Sequence, residues 1–535
     1  MAQRRFFALN KDSITIFITS VGVTLVVEFS SNTSMSDQSR TTIDNFARGA
    51  GISTIGRLAG RGIGYLGHVV LARILLPESY GLFALGWTLF RLLTIVSPLG
   101  LDNGMIRYGS KYWRKDTAGF RGILIASLLG ALVFSVLIGI GMYVFSPWLA
   151  VTIFHNPALE KIFVGFAAMI PLATLLRMLV AASSVSQRMI CGSVSEDIIQ
   201  PLAQISIFFG LLKWFDPILS AVSATGLSFA VSLIPSCICV LRQIPETMQA
   251  STPSFEKVMP LFRYSLTSVA AITFGVLNIW GDRLIVGYYR PENEVGIYQS
   301  VSLIATFLVV ALSGVKSIIA PVTAQLYQDG QLASLDELIK GVGKWIMILS
   351  LPFVLIIVFA PKEILSVILG GSYEVGASTL VVLIFAQFVY VVFGVADQIL
   401  LMTGHHKDWL LISAGTLCAS TVFNIVFIPI YGSLGAAYVS LGASLMVLIA
   451  SIARIGKLMN IWPYDRRHLK PLVAAIGTGV LLYFVLPMFS LTAMYKLFVT
   501  VSISLFAFGG LIVILGIDAE DKELVQAIFM RKRNN

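Results

Sequence analysis

The chain has 535 residues, 56% of them apolar and only 12% charged. Soluble domains carry about 25% charged residues, so this balance rules out a soluble globular protein and defines an integral membrane protein with many spans. The net charge of +10 needs no nucleic acid as partner, because Lys and Arg gathered on the cytoplasmic side of a polytopic protein face anionic lipid.

Residues 1–45 differ from the rest and form an extension to which the sequence assigns no role. Arg4-Arg5 precedes the run Ile14 to Val27, which is too short to span a bilayer. A polar stretch follows, and Met35 within it offers a second start. Beyond residue 50, fourteen apolar segments alternate with short polar ones: about 50–74, 80–102, 120–146, 157–182, 192–213, 217–241, 262–288, 295–320, 339–360, 374–402, 409–430, 433–456, 470–489 and 495–516. No loop between them exceeds about 20 residues, which leaves no room for a soluble catalytic domain.

The first segment runs into the sequence STIGRLAGRGIGYLGHVVLARILLPESYGLF and carries Arg57, Arg61 and His68 within its apolar length. On a helix, position 61 lies about 40° and position 68 about 20° from position 57, so the three share one face. A charge at the bilayer centre costs roughly 2.5–17 kcal/mol and normally faces a bundle interior or a watery cavity. The stripe therefore predicts a pathway lined for an anion; snorkelling or loop capping is the alternative. Seven glycines from Gly49 to Gly67 allow either close packing or bending of this helix.

Further charges fall inside later segments: Arg91, Arg177, Asp282-Arg283, Lys316 and Asp397. Convergence of Arg57, Arg61, Arg91 and Lys316 on one cavity would suit a diphosphate, since Arg offers forked donors and Lys a point charge. Arg177 lies near enough to a segment end to snorkel, and Asp282-Arg283 reads as an ion pair. His68, Asp282 and Asp397 are candidates for ion coupling or gating, with a satisfied core histidine and a helix-end carboxylate as the plain alternatives for the first and last.

Cys191, Cys237, Cys239 and Cys418 read as small core residues. No metal site, nucleotide loop or catalytic constellation emerges, so no cofactor and no enzymatic activity are expected.

With the amino end inside, seventeen Lys and Arg fall in cytoplasmic loops against six on the opposite side, which puts both termini in the cytoplasm. A repeat appears at an offset of about 215 residues: Pro77-Glu78-Ser79-Tyr80-Gly81-Leu82-Phe83 returns, one residue longer, as Pro291 to Tyr298, and Ser223 to Gly226 as Val439 to Gly442. Six spans per unit make the halves parallel repeats about an axis normal to the membrane, with a site between them. The expected units are 1–45, two six-helix bundles at 46–245 and 246–460, an appended helix pair at 461–517 and a basic tail at 518–535. The fold expected is all-α.

The stretch Leu71-Ala72-Arg73-Ile74-Leu75-Leu76-Pro77-Glu78 with Tyr80-Gly81-Leu82-Phe83, then Gly100-Leu101 and Arg107-Tyr108, resembles the opening of the polysaccharide transporters, the Wzx-type oligosaccharide flippases of the multidrug/oligosaccharidyl-lipid/polysaccharide exporter superfamily. Tyr431-Gly432-Ser433-Leu434-Gly435-Ala436-Ala437 is similar to a second stretch of that family. The resemblance spans about residues 45–516 and implies two six-helix bundles around a V-shaped cavity, alternating access, and a polyprenyl- or dolichyl-diphosphate-linked saccharide as substrate. It also implies basic residues of the first, second and eighth helices at the diphosphate, where Arg57, Arg61, Arg91 and Lys316 stand. A cell-membrane monomer is expected, with membrane lipids around it and other glycan-assembly proteins as an open option. Left open beside it are a drug/cation antiporter of the same superfamily and, from another class, a membrane polysaccharide polymerase or ligase.

Overall fold

The computed structural model describes the backbone of residues 13–20, 23–30, 37–113, 115–185, 192, 194–243, 252–488 and 492–516. Side chains are described from residue 60 onward, except at 61, 243, 267–268, 270–271, 311–318, 321, 393, 395 and 397. The side chains of Arg57, Arg61, Lys316 and Asp397, and the whole basic tail 518–535, therefore lie outside the described residues.

In the extension, β1 (Ser13–Ser20) and β2 (Val23–Ser30) pair as an antiparallel hairpin. Helix follows from α1 (Asp37–Val96), which bends sharply at Leu76, where φ is 61° and ψ is 167°. Pro77 accounts for the break in the helix, since it donates no amide hydrogen and disfavours a helical ψ at the preceding residue, though not for the positive φ there. The chain then doubles back. His68 on the first limb stands 5.3 Å, ring to ring, from Trp87 on the second, and its Nδ1 is 3.4 Å from the Tyr80 hydroxyl. The two expected spans on either side of the PESYG stretch are these two limbs.

The second limb continues through Leu101–Gly104 and a π-helical turn, Met105–Gly109. There follow α2 (Thr117–Trp148) and α3 (Ala158–Val185), a π-helical turn at Val194–Ile199 leading into α4 (Gln200–Leu211), and α5 (Pro217–Gln243). The second half comprises α6 (Val258–Tyr289), α7 (Glu292–Gln328), α8 (Leu332–Phe359), α9 (Ala377–Phe393) continued by Val395–Met402, α10 (His406–Tyr431) and α11 (Ser433–Met459). Last come α12 (Leu469–Val485) and α13 (Ala493–Ile514), which pack on each other and on α8. Helix lies along each of the fourteen expected segments, and eleven helices among the described residues are by themselves long and apolar enough to cross a membrane. Both limbs of α1 are counted there as one, and α4 is only 12 residues long.

Two seams on α1 organise the molecule. Along the first, a Cβ on Gly60 would overlap the backbone of Asp197, one on Gly64 would meet Pro201 at 3.9 Å, and one on Gly67 would meet Ile205 at 3.4 Å. Positions 60, 64 and 67 share a helix face, and their partners climb α4 in step, so the two helices run side by side in the same direction. Small residues allow this approach where lipid gives helices no hydrophobic reason to associate. The abundance of glycine in the first segment is thus used for packing at 60, 64 and 67.

The second seam joins the halves. A Cβ on Gly81 would overlap the carbonyl oxygen of Glu292, and one on Gly296 that of Pro77. Deeper in, the rings of Tyr65 and Phe307 stand 6.4 Å apart. From Pro77 at its end down to Tyr65, positions descending the first limb of α1 thus meet positions ascending α7, so that limb and α7 run antiparallel. At the opposite end of the molecule the halves touch again: a Cβ on Gly104 would meet Leu261 of α6 at 2.8 Å, the Arg107 guanidinium lies 4.4 Å from the Tyr264 ring centre, and Lys257 binds Asp116.

Candidate functional site

Trp87 stands beside His68, and Arg91 follows one helical turn, about 6 Å, further along the second limb. That depth is level with positions 62–64 of the first limb. The Arg91 guanidinium lies 5.5 Å from the Trp87 ring centre, and its buried Nε has no hydrogen-bond partner among the described residues. Among the described residues, Arg91 lies within electrostatic reach of Glu196, in the π-helical turn that abuts Gly60, of Arg177 and of His68.

Arg177 does not need an interface to settle its charge. It donates from Nε to Asp102 at 2.8 Å, and a second guanidinium nitrogen lies 2.7 Å from the same oxygen. Asp102 is only 6% exposed while the Arg177 side chain is 33% exposed, so it is the carboxylate that depends most on the pair. Ser97 and Thr174 are linked close by, hydroxyl to hydroxyl, at 2.5 Å. Sequence reasoning singled out neither Asp102 nor Glu196. Asp102 is the last residue of the expected segment 80–102, and its partner lies 75 positions away.

His68 is half-buried against the Tyr80 hydroxyl and the rings of Phe83 and Trp87. Further rings, Phe90 and Phe166, complete this aromatic packing. Such surroundings fix the imidazole in place.

Asp282 and Arg283 form the ion pair their adjacency suggested, with 2.9 Å between Arg283 Nη1 and Asp282 Oδ1. The other carboxylate oxygen accepts from the Tyr298 hydroxyl at 2.5 Å. Arg283 donates from Nε to Gln299 at 2.6 Å and from Nη1 to the Ile279 carbonyl at 2.6 Å, and it stacks 4.7 Å from the Trp280 ring centre. This network ties α6 to α7 near the Gly81 and Gly296 crossing. Lys316 lies 18 positions beyond Tyr298 on α7, about 27 Å along the axis, so Asp282 and Lys316 belong to different depths. Among the described residues no cluster of His, Cys, Asp and Glu has the makings of a metal site.

The described helices thus form two halves that meet along α1, with guanidinium groups held between helices. The sequence model of the family described as polysaccharide biosynthesis protein matches residues 46–327, and the chain belongs to that family. The MatE family model matches residues 272–430. Among curated relatives, the probable low-salt glycan biosynthesis flippase Agl15 of Haloferax volcanii is 24% identical over 392 residues, which cover 72% of this chain and 78% of that one. The succinoglycan biosynthesis transport protein ExoT of Rhizobium meliloti is 22% identical over 292 residues, 54% of this chain and 55% of that one. Among solved structures, lipid II flippase MurJ in an inward closed conformation superposes with a TM-score of 0.71 at 13% identity, covering 87% of this chain and 98% of its own. At that identity the likeness establishes a common fold.

Proposed function

We propose that the chain is a flippase for a lipid-linked oligosaccharide, carrying a polyprenyl- or dolichyl-diphosphate-linked glycan from the cytoplasmic to the outer leaflet by alternating access of its two bundles, with both termini in the cytoplasm. Relatives named as glycan biosynthesis flippase and transport protein support the substrate class. The observation that carries the reading is Arg91, a cation held within the helices with a buried donor left open. An anion arriving in such a place gains a charge-assisted hydrogen bond in a low dielectric, where it is strongest.

Helix register supports the company we assign to Arg91. Positions 57 and 61 lie on the face that His68 turns towards the second limb. Continuing the antiparallel register of Tyr65 with Phe307 down both helices brings position 316 level with position 57, each about 12–14 Å deeper. Arg57, Arg61, Arg91 and Lys316 then occupy one layer, at which a diphosphate is neutralised during transit. His68 and Asp397 remain proposed as coupling or gating groups, and Asp282 as one acting through its pair with Arg283.

The direct test is flipping of a fluorescent polyprenyl-diphosphate sugar by the purified protein in liposomes. Arg57→Ala with Arg61→Ala, and separately Arg91→Ala, should each reduce the rate more than tenfold. Undiminished flipping in these variants would contradict the proposal.

The MatE match over residues 272–430 favours one further reading, a drug/cation antiporter. Both oxygens of Asp282 are already engaged by Arg283 and Tyr298, which weighs against that carboxylate as a drug-cation site. Cationic-drug susceptibility of a strain lacking the gene separates the two readings.

A further inference from the structure

A membrane transporter whose central layer is cationic has a problem when it is empty. Several guanidinium groups out of water, with no counter-charge, repel one another and lack solvation, so buried charges are nearly always paired. Arg177 has solved this with Asp102, leaving that carboxylate spoken for. Arg91 has not, since its Nε has no described partner.

We infer that Glu196 is the resident counter-anion of the cationic layer: it balances the arginines while the carrier is absent, and the carrier's diphosphate takes over its role on binding. The inference rests on the diphosphate site proposed above and adds to it a residue that governs affinity and release.

Three observations carry it. The π-helical turn Val194–Ile199 bears Glu196 and packs so tightly on α1 that any side chain at position 60 would overlap Asp197. By the shared register of Gly60 with Asp197 and Gly64 with Pro201, Glu196 stands level with position 59 of α1, between positions 57 and 61. Arg91, level with 62–64 on the second limb, is within electrostatic reach of the same carboxylate. Among the described residues Glu196 has no hydrogen bond or ion pair of its own, so it is neither tied to the scaffold nor occupying the donors of Arg91. It lowers the local positive potential while those donors stay open to a ligand. The turn itself is suited to the task, because a π-helical insertion re-aims side chains within an otherwise regular helix and is frequent at functional sites. Gly60 then has a purpose beyond packing: it lets the turn come close enough to bring Glu196 level with positions 57–61 of α1.

The consequence is competition. With the carboxylate present, an incoming diphosphate meets a layer that is partly neutralised, binds less tightly and leaves more readily. With it gone, the same cations hold the ligand harder.

Binding of geranylgeranyl diphosphate, and of uncharged geranylgeraniol as control, to the purified full-length protein in nanodiscs tests this. Glu196→Gln should tighten diphosphate binding about tenfold and leave geranylgeraniol binding unchanged, and in the liposome assay it should lower both KM and kcat. Unchanged or weakened diphosphate binding in Glu196→Gln, while Arg91→Ala still weakens it, would overturn the counter-anion and leave the diphosphate site standing. Arg91→Ala without effect on diphosphate binding would remove that site, and the counter-anion with it. If Glu196→Gln unfolds, the double variant Glu196→Gln with Arg91→Gln decides: removal of both charges should restore thermal stability above either single variant, and failure to do so would overturn the inference.

Discussion

Gly81 and Gly296 face each other across the boundary between the halves, and each does to its opposite what is done to it. A Cβ on Gly81 would overlap the Glu292 carbonyl and come within 3.0 Å of the Gly296 amide nitrogen; a Cβ on Gly296 would overlap the Pro77 carbonyl and come within 2.9 Å of the Gly81 amide nitrogen. Pro77 and Glu292 are themselves 215 positions apart, as are the two glycines, which is the offset at which the PESYG stretch repeats. The contact is isologous in the sense of a two-fold dimer interface, but within one chain. The local axis of the repeat passes between these two glycines.

Since the obstructing atoms are backbone, no rotamer change makes room for a side chain. Gly81→Ala and Gly296→Ala should each destabilise the protein by about 1–3 kcal/mol, the usual range for overpacking. The double variant should fall short of their sum, because the first substitution already spreads the crossing that the second needs. Thermal unfolding in detergent checks this, and wild-type stability in both single variants would show that the crossing is looser than described.

Asp282→Asn should destabilise by about 3–5 kcal/mol, the range for removing one partner of a buried ion pair. Arg283 would be left 10% exposed at its side chain with its main counter-charge gone. Asp282→Asn combined with Arg283→Gln should recover part of the loss. Urea unfolding of the three variants measures it, and a silent Asp282→Asn would mean that Tyr298 and Gln299 alone hold α6 to α7.

A pH-dependent contribution is expected where α2 meets the start of α6. Asp116 is hydrogen-bonded by Lys257 and by the Gly119 amide, which hold its carboxyl below the usual carboxylate range, while Lys257 is raised by the same partner. A depressed carboxylate stabilises above its unfolded pKa of about 3.9 and loses that contribution as pH falls through its folded value. A raised lysine stabilises below its unfolded pKa of about 10.4 and loses that as pH rises through its folded value. Asp116→Asn retains a helix-capping side chain but no charge, so its Tm deficit should be full at neutral pH and shrink as the wild-type carboxyl protonates. A deficit independent of pH would assign the effect to capping alone.

Much of this was legible in the sequence, for local reasons. Apolar runs long enough to span, broken by Pro77-Glu78 and its repeat, mark the segments without reference to neighbours, and Pro77 marks the place where the helix breaks. The repeat offset foretold a relation between the halves, and the glycines at 60, 64 and 67 share a face that the sequence displays. What stayed hidden was pairing across distance. Nothing near Arg177 announces Asp102, and nothing near Gly60 announces Asp197, because that contact is made by packing α1 on the turn that leads into α4. Asp282 and Arg283 were recognisable as a pair from adjacency, but their link to Tyr298 and Gln299 needed the fold of α6 against α7.

The central claim is that cations from both halves share one layer, and a distance tests it most directly. In a chain whose four cysteines are replaced, Arg57→Cys with Lys316→Cys should be bridged by a bifunctional thiol reagent of about 10 Å reach, matching the antiparallel register extended at about 1.5 Å per residue, and added polyprenyl diphosphate should slow the bridging. Efficient bridging of Tyr65→Cys with Phe307→Cys alongside none between positions 57 and 316 would contradict it.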